Sequence, residues 1–313
     1  MKTNPLFTII IPHYDIPDFL MRCLKSIPVS EDVQVIVVDD HSPDADTYLE
    51  RYPELSRPYL EFIRTTEGKG AGYARNVGLD HAKGRWLLFA YADDFYVENM
   101  YDVIKPYAYS EADIVFFKPQ SVYSDDVFKK SNKSECLNNY INIYKETGDD
   151  RYVRFRWCAP WSKMLKTDFI HNHSIRFDEI QYANDYYFSV CSGINAKNIK
   201  VAEEVLYVYV DRKDSLTANF GSKQGELAIR ADVSFRVEKL FKKNNICIGQ
   251  HRPFSWYLCQ MLKRDRKLFN YYFDRLDEIY PSKQIAFSTI TEGRSVFLKV
   301  LIYAYLLVLC MIR

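Results

Sequence analysis

The sequence predicts an α/β fold: a mostly parallel, Rossmann-like sheet flanked by helices and followed by a helical C-terminal region. Four apolar runs typical of strands alternate with helical patterns over the first hundred residues, as in βαβ units with right-handed crossovers. Acidic and aromatic side chains follow these runs directly, at the edge where open α/β sheets bind ligands. The composition changes at residues 219–226, and helical patterns follow. We therefore expect two domains, at 1–220 and 221–313.

Each strand predicted in the first hundred residues is an apolar run with a turn signal at its end. The run Phe7–Ile11 ends at Pro12, and Pro17 begins a helix with its apolar residues on one face. A loop with glycines at 68, 70 and 72 precedes another helix, which stops at Gly84. The other three runs are predicted as strands at Val33–Val38, at Tyr59–Arg64 and within Arg85–Tyr96.

The patterns are weaker in the middle of the chain. We predict a helix at Asn99–Tyr109 and a strand at Asp113–Val122. The segment Ser124–Asp150 loses periodicity and is predicted to run over the surface as a polar excursion. The later elements are predicted as a helix at Tyr182–Ala196, a strand at Val201–Val210, and helices at Leu227–Phe241 and Phe254–Leu268.

Composition limits the class of partner and the compartment. The 42 Lys and Arg residues balance 41 Asp and Glu residues, so the net charge of +1 indicates no nucleic-acid partner. The seven cysteines show no C-x-x-C spacing, which favours a reducing compartment. The N-terminal apolar run is interrupted by Pro12 and His13, too early for a secretory signal. We therefore expect a cytoplasmic protein.

The C-terminal tail Val296–Ile312 is apolar but slightly short of the roughly 20 residues that span a membrane, and Lys299 interrupts it. With the cations Arg294 and Arg313 at its ends, it fits a helix lying at the inner face of the cytoplasmic membrane, through residues 294–313. The alternative is a terminal helix docked on the protein's own core or on a second copy in a homo-oligomer.

Four polar motifs belong to the predicted sheet edge: IIIPHYD, VVDDHSPD, GAGYARN and FAYADDFY. A loop with aromatic and polar residues can hold a base, and an acid after the second strand can accept hydrogen bonds from a base or a ribose. Asp93 and Asp94 are adjacent carboxylates at a strand end, suited to a hard divalent cation such as Mg²⁺ or Mn²⁺. Together the motifs predict a nucleotide pocket.

The order of these motifs resembles that of the inverting family 2 glycosyltransferases of the GT-A fold, in particular bacterial enzymes that build capsule, lipopolysaccharide or exopolysaccharide chains. The resemblance covers roughly residues 5–215, and its specificity lies in the set of motifs. It implies that Pro12 and Tyr14 line the base pocket, that Asp40 binds uracil or ribose, and that Arg75 contacts the nucleotide. The resemblance also implies that a metal held by Asp93 and Asp94 bridges the diphosphate of a nucleotide-sugar donor. We expect this donor to be a UDP-sugar.

One position departs from the family pattern. Where the family has the first Asp of D-x-D-D, this chain has Tyr91. A phenol is a poor hard-metal ligand at neutral pH, although it can hydrogen-bond a ribose hydroxyl in the donor site. The metal prediction therefore depends on Asp93 and Asp94.

The segment QYANDYYF matches the family's E-D motif, with Asn184 in place of Glu and Asp185 retained. The resemblance implies that Asp185 is the general base that deprotonates the acceptor hydroxyl in a single displacement. A helix N-terminus favours the anionic form of such a carboxylate.

Further site residues are implied by the stretch around residue 160 and by the loop after the last predicted strand. Trp157, Trp161 and Lys163 match a family stretch near the acceptor site, where Trp rings would stack on a glycan or lipid-linked saccharide. Arg212 lies in YVDRKDSLT, which resembles a loop that closes over the diphosphate.

Each assignment has a structural alternative. Asp39 and Asp40 would then cap a turn, Asp93, Asp94 and Asp185 would be helix N-caps, and Trp157 and Trp161 would be core aromatics. Arg75 would pair with Glu67 or Asp80 on a helix surface. Two other functions also remain open: a non-catalytic nucleotide-sugar or glycan-binding protein, and a nucleotidyltransferase. The latter predicts a glycine-rich basic loop after the first strand, which IPHYDIPD lacks.

Overall fold

The structure is a computed structural model that describes residues 4–212, 225–248 and 253–280. The chain divides into two compact units, 1–222 and 223–313. Each unit is described by itself.

The first unit contains a mixed eight-stranded sheet with helices on its faces. The strands are β1 (Phe7–His13), β2 (Val33–Asp39), β3 (Leu60–Arg64), β4 (Trp86–Phe89), β5 (Phe95–Tyr96), β6 (Ile114–Tyr123), β7 (Lys163–Lys166) and β8 (Ile199–Asp211). The helices of this unit are α1 (Pro17–Lys25), α2 (Tyr48–Arg51), α3 (Ala71–His81), α4 (Met100–Ile104), α5 (Glu135–Thr147), α6 (Arg151–Phe155), α7 (Thr167–Asn172) and α8 (Tyr186–Asn195). The strand order is β3-β2-β1-β4-β7-β6-β8-β5.

Strands β1 to β4 form the parallel half of the sheet, as the alternation of strand and helix patterns predicts. Every residue of β1 and β2 is buried, which explains their continuous apolar runs. The register pairs His13 with Asp39 at the carboxyl end of the two strands. Strand β1 extends two residues beyond the predicted end because it still pairs with β2 there, after its pairing with β4 has ended at Ile10. The polar motifs of these strands therefore meet at one edge.

The second half of the sheet mixes the two directions. Strand β7 is antiparallel to both β4 and β6, and β5 is antiparallel to β8, whereas β6 and β8 are parallel. Strand β7 is not predicted from the sequence, because four residues that begin and end with lysine show no usable pattern. Strand β5 closes the sheet beside β8 and places the residues that precede it, Asp93 and Asp94, next to the end of β8.

The segment Ser124–Asp150 does lie largely at the surface, but the prediction that it has no periodic element is wrong for its second part, which forms helix α5. Ile141 is the one buried residue of this helix, and Leu137, Tyr140 and Tyr144 lie on the same face at helical spacing, a signal that the sequence analysis missed. Residues 124–130 do lie at the surface as a loop, with an isolated bridge between Val122 and Lys130.

The second unit is helical in its described part, as predicted. It comprises α9 (Glu226–Lys243), α10 (Pro253–Arg264) and α11 (Arg266–Asp274). Phe235, Phe254 and Tyr272 contact one another at the centre of its apolar core. Within the described ranges, no helix has the length and apolar character needed to cross a membrane. The tail at 294–313 lies outside the described residues.

Candidate functional site

The loops after β1 and β2 are held together by Asp39, which caps the turn after β2 as its structural alternative predicts. Its Oδ1 lies 2.8 Å from His13 Nδ1 and accepts a 2.6 Å hydrogen bond from Ser42 Oγ, while Oδ2 accepts from the Ser42 amide. Burial opposes ionisation, but these bonds outweigh it, so the pKa of Asp39 is lowered. A buried, fully bonded carboxylate thus fixes the shape of this part of the edge.

Asp40 holds the glycine-rich loop that begins α3. Its two carboxylate oxygens accept hydrogen bonds from the amides of Lys69, at 3.2 Å, and Gly70, at 2.6 Å. Burial raises the pKa of Asp40, and these two bonds partly offset that effect. The carboxylate therefore joins the end of β2 to the loop before α3, and its predicted contact with uracil or ribose stays a prediction.

The two residues predicted to line the base pocket differ in exposure. Pro12 is buried within β1, whereas Tyr14, in the loop that follows, is 57% exposed. Tyr14 is thus accessible to a ligand at this edge, while Pro12 shapes the strand end from the inside.

Arg75 lies in α3 and is 3% exposed, so the surface ion pair considered as its alternative does not form. Glu67 pairs with Lys69 instead, and Asp80 pairs with Arg176. The Arg75 Nη1 donates a 2.9 Å hydrogen bond to Asn184 Oδ1.

The Arg75 guanidinium also lies 5.2 Å from the ring centroids of both Tyr91 and Phe177. The contacts to Asn184 and Tyr91 connect α3 to the segment that carries Asp185 and to the loop after β4.

Gly72 permits the close approach between α3 and the segment before α8. A Cβ atom at this position would lie 2.0 Å from the Asp178 carbonyl oxygen and 3.2 Å from Asn184 Cβ. No side chain fits in that space, so the glycine of the GAGYARN motif has a packing role at the site.

Asp185 occupies the N-cap position of α8, but its side chain makes no capping hydrogen bond. Its Oδ2 instead accepts a 3.0 Å hydrogen bond from Tyr91 Oη. The plain N-cap alternative is therefore not supported, and Asp185 faces the strand-end loop that contains Tyr91, Asp93 and Asp94.

Asp94 is fully buried, and both of its oxygens have partners. Oδ2 accepts from Tyr207 Oη at 2.8 Å, and Oδ1 accepts from the Val210 amide at 2.7 Å. Burial, and then the neighbouring Asp93, raise the pKa of Asp94 well above its ordinary value. This placement argues against the prediction of Asp94 as a metal ligand, because its oxygens are committed to holding the end of β8.

Asp93 points to a more open position. Its Oδ2 forms a 2.6 Å ion pair with Arg212 Nη2, and the two side chains are 18% and 25% exposed. Its carbonyl oxygen accepts a hydrogen bond from Arg22, whose guanidinium also lies over the rings of Phe19 and Phe95. Arg22 is a site residue that the sequence analysis missed, since a single arginine on an amphipathic helix carries no signal of this role.

These residues offer limited support for a metal. Across residues 4–212, 225–248 and 253–280, no three His, Cys, Asp or Glu side chains are arranged to hold an ion. With Tyr91 in place of an acid and Asp94 committed elsewhere, Asp93 is left as the carboxylate of the predicted set. Mg²⁺ typically takes one or two carboxylates together with substrate phosphates. The residues therefore fit a divalent ion only together with the phosphate oxygens of a bound donor.

Two of the three predicted acceptor residues are in the core, and this prediction is corrected. Trp157 is fully buried against Phe116, and Lys163 is 4% exposed with its Nζ donating a 2.7 Å hydrogen bond to the Trp157 carbonyl. Burial lowers the pKa of Lys163 to about 7. Side chains in these positions support the site from beneath and present no surface to an acceptor.

Trp161 lies nearer the site. Its ring stacks on those of Tyr207, at 5.2 Å, and Tyr209, at 5.8 Å, and meets the Tyr91 ring edge-on. Its Nε1 has no hydrogen-bond partner among the described residues. The residue is 6% exposed, so its acceptor role stays a prediction.

Solved structures with the same arrangement define the class of fold. The structure of Staphylococcus aureus TarS 1–349 in complex with UDP-GlcNAc superposes with a TM-score of 0.61, covering 88% of this chain and 81% of that one at 19% identity. At this identity the likeness shows the fold alone. It confirms the predicted GT-A fold, a mixed α/β sheet flanked by helices.

The sequence comparison identifies the family. The family described as Glycosyl transferase family 2 matches residues 8–172, just over half of the chain, and the protein belongs to it. Two relatives are EpsJ of Bacillus subtilis, described as an uncharacterized glycosyltransferase, and GlyA, a glycosyltransferase of Streptococcus pneumoniae. EpsJ is 27% identical over 68% of this chain and 63% of its own length. GlyA is 25% identical over 69% of this chain and 32% of its own, so the chain spans less than two thirds of either relative.

Proposed function

We propose that the protein is an inverting glycosyltransferase that moves a sugar from a UDP-linked donor to a hydroxyl group of a growing surface glycan. The observation that carries the proposal is Asp185, a partly buried carboxylate that starts α8, caps nothing, and faces the strand-end loop of the predicted donor pocket. The names of relatives support the substrate classes. TarS of S. aureus is described as a poly(ribitol-phosphate) β-N-acetylglucosaminyltransferase, and its structure was solved with UDP-GlcNAc.

The proposed reaction is a single displacement. Asp185 accepts the proton of the acceptor hydroxyl, and that oxygen forms a bond to the anomeric carbon of the donor sugar. The bond from the anomeric carbon to the diphosphate oxygen breaks on the opposite face, and UDP leaves with the electron pair. One base and in-line geometry are sufficient for inversion.

The donor is proposed to lie along the strand-end edge. Tyr14 and Asp40 would contact the base and ribose, which is supported by the exposure of Tyr14 at this edge, and Arg75 would contact the nucleotide from beside Asn184. Arg212 forms an ion pair with the Asp93 carboxylate and would bind the diphosphate, for which a guanidinium offers paired donors.

A metal would be held by Asp93 together with the diphosphate oxygens. When bound, Mn²⁺ or Mg²⁺ neutralises charge that develops on the leaving diphosphate. In this chain Arg212 already supplies a positive charge at the same carboxylate.

The two alternative functions depend on the same residues. A non-catalytic binding protein is suggested by Tyr91 and Asn184, which replace family acids, but both contact the site in ways that leave Asp185 in place. A nucleotidyltransferase has no supporting observation beyond the α/β sheet and its acids.

We also propose that the protein works at the inner face of the cytoplasmic membrane. The support lies in the sequence of the tail at 294–313, where cations surround an apolar run.

The proposal is tested with Asp185→Asn, which keeps the size of the side chain and removes its basicity. We expect turnover to fall by at least about 10²-fold, since general bases typically contribute 10² to 10⁴. Binding of the UDP-sugar, measured as a thermal shift, should persist. Release of UDP with Mn²⁺ present is the measurement, and the donor is the UDP-sugar that gives the largest shift.

Asp265→Asn is the matched control. Asp265 is also a helix N-cap, but its side chain accepts a hydrogen bond from the Leu268 amide, so Asn should replace it with little effect. Full turnover in D185N would exclude Asp185 as the base. Donor binding without turnover in the wild-type protein would favour the non-catalytic alternative.

A further inference from the structure

Tyr91 is held by contacts to both its backbone and its ring. Its amide donates a 2.8 Å hydrogen bond to Tyr207 Oη, which in turn donates to the buried Asp94. The Arg75 guanidinium contacts its ring, and the Trp161 ring meets it edge-on. Both the backbone and the ring of Tyr91 are therefore fixed.

The hydroxyl of this fixed side chain is directed at Asp185. Tyr91 Oη donates to Oδ2 at 3.0 Å, and Oδ1 accepts no hydrogen bond from the described residues. One oxygen of the carboxylate is thus anchored, and the other is left to accept a proton.

Tyr91 is the donor in this contact, because its phenol carries the hydrogen and an ionised carboxylate can only accept. An aspartate at this position would instead place a second negative charge beside Asp185, which disfavours the ionised base.

We propose that Tyr91 is a positioning residue for the general base: its hydroxyl fixes the Asp185 carboxylate and stabilises its ionised form. This inference rests on the proposed function, because it requires Asp185 to be the general base. It assigns the Tyr91 hydroxyl to that base and not to the ribose of the donor. The replacement of the family's first acid by Tyr91 then has a physical consequence. A neutral hydrogen-bond donor lies where the family pattern has an anion.

The pH profile of turnover depends on the charged and titratable groups around Asp185. Besides Tyr91, the groups that act on it are Cys158 and Lys163, from the segment between α6 and β7. Arg75 acts on it through the Tyr91 ring and Asn184. Tyr91→Phe keeps the ring and therefore leaves these three groups in place.

The test is Tyr91→Phe, with Tyr101→Phe as the matched control, since Tyr101 Oη also donates to a carboxylate, that of Asp32, outside the site. Turnover is read as UDP release from UDP-GlcNAc with water as acceptor. A hydrogen bond to the charged form of an acid favours ionisation. We therefore expect Y91F to lower kcat about tenfold and to move the acidic limb of the kcat profile about one pH unit upward. Y101F should leave both unchanged.

D185N measured in parallel separates two failures. If D185N retains turnover, the proposed function and this inference both fail. If D185N is inactive while Y91F keeps the wild-type pH profile, Asp185 remains the base and the positioning role of Tyr91 is overturned.

A second pair of variants covers the case in which Y91F does not fold. Tyr91→Gln and Tyr91→Glu both lose the ring and have nearly the same size, but Gln alone is a neutral donor. The acidic limb must lie at higher pH in Y91E than in Y91Q, and coincident limbs would overturn the inference.

Discussion

Asp93 and Asp94 are neighbours in the sequence but differ in environment. Asp94 is enclosed, with Tyr207 and Val210 donating to its two oxygens, whereas Asp93 faces a partly open position beside Arg212. Sequence spacing alone cannot distinguish two adjacent carboxylates. The distinction comes from β8, which lies far away along the chain.

This difference predicts that Asp94→Asn lowers stability, whereas Asp93→Asn mainly lowers activity. Asn at position 94 cannot accept both hydrogen bonds, so the free energy of unfolding should fall by about 1–3 kcal/mol. Asn at position 93 loses the partly exposed ion pair with Arg212, which is worth at most about 1 kcal/mol. Its effect should appear as reduced UDP release and a weaker response to added Mn²⁺. Chemical unfolding and a Mn²⁺ titration of turnover measure the two effects, and the reverse pattern would contradict the assignment.

At the level of elements, α3 and the segment before α8 form the part of the site that depends most on close packing. Gly72 and Asn76 lie on the face of α3 that meets this segment, and Asn76 exchanges hydrogen bonds with the backbone of Phe177. The position of Asp185 follows from this contact, since it comes directly after Asn184. Packing between two elements thus sets the geometry of a single carboxylate.

Gly72→Ala should therefore disturb the site as well as the fold. Its Cβ would overlap the Asp178 carbonyl, and overpacking of this kind typically costs about 1–3 kcal/mol. We expect a lower melting temperature and a reduced kcat, because the segment that carries Asp185 must move. Gly68→Ala is the control, since its Cβ would lie 3.4 Å from the nearest atom. A wild-type kcat and melting temperature in G72A would show that this contact does not set the geometry of the base.

At the scale of the whole molecule, the sheet order gathers loops from distant parts of the chain at one edge. The loops after β1, β2 and β4 lie side by side because these strands are adjacent and parallel. Asp185 and Arg212 join them only through α8 and β8. The second unit adds an apolar core of its own, around Phe235.

The proposed membrane contact is a property of the full chain and is tested on it. Charge reversal at Arg294 and Lys299 should weaken binding to anionic vesicles, since each cation near such a surface contributes about 1 kcal/mol. Flotation with vesicles of phosphatidylglycerol and phosphatidylcholine, and with phosphatidylcholine alone, is the measurement. Reversal of Lys242 and Lys243 in α9 is the control for net charge. Equal binding of all variants to both vesicle types would remove the electrostatic basis for this proposal.

The sequence by itself determined the elements whose patterns are local: the four parallel strands of the first hundred residues, the helices between them, and the acids at the strand ends. It also indicated the family through the order of its motifs. Periodicity and turn chemistry depend on neighbours in the chain, so one sequence is enough to reveal them.

Only the tertiary structure decided which of those residues face one another. Strand β7 forms because β4 and β6 pair with it on either side, and its own four residues show little pattern. Burial removed Trp157 and Lys163 from the acceptor surface and committed Asp94 to β8. The contact of Tyr91 with Asp185 joins residues 94 positions apart, and a hydrogen bond over that separation exists only once the sheet has brought β4 and α8 together.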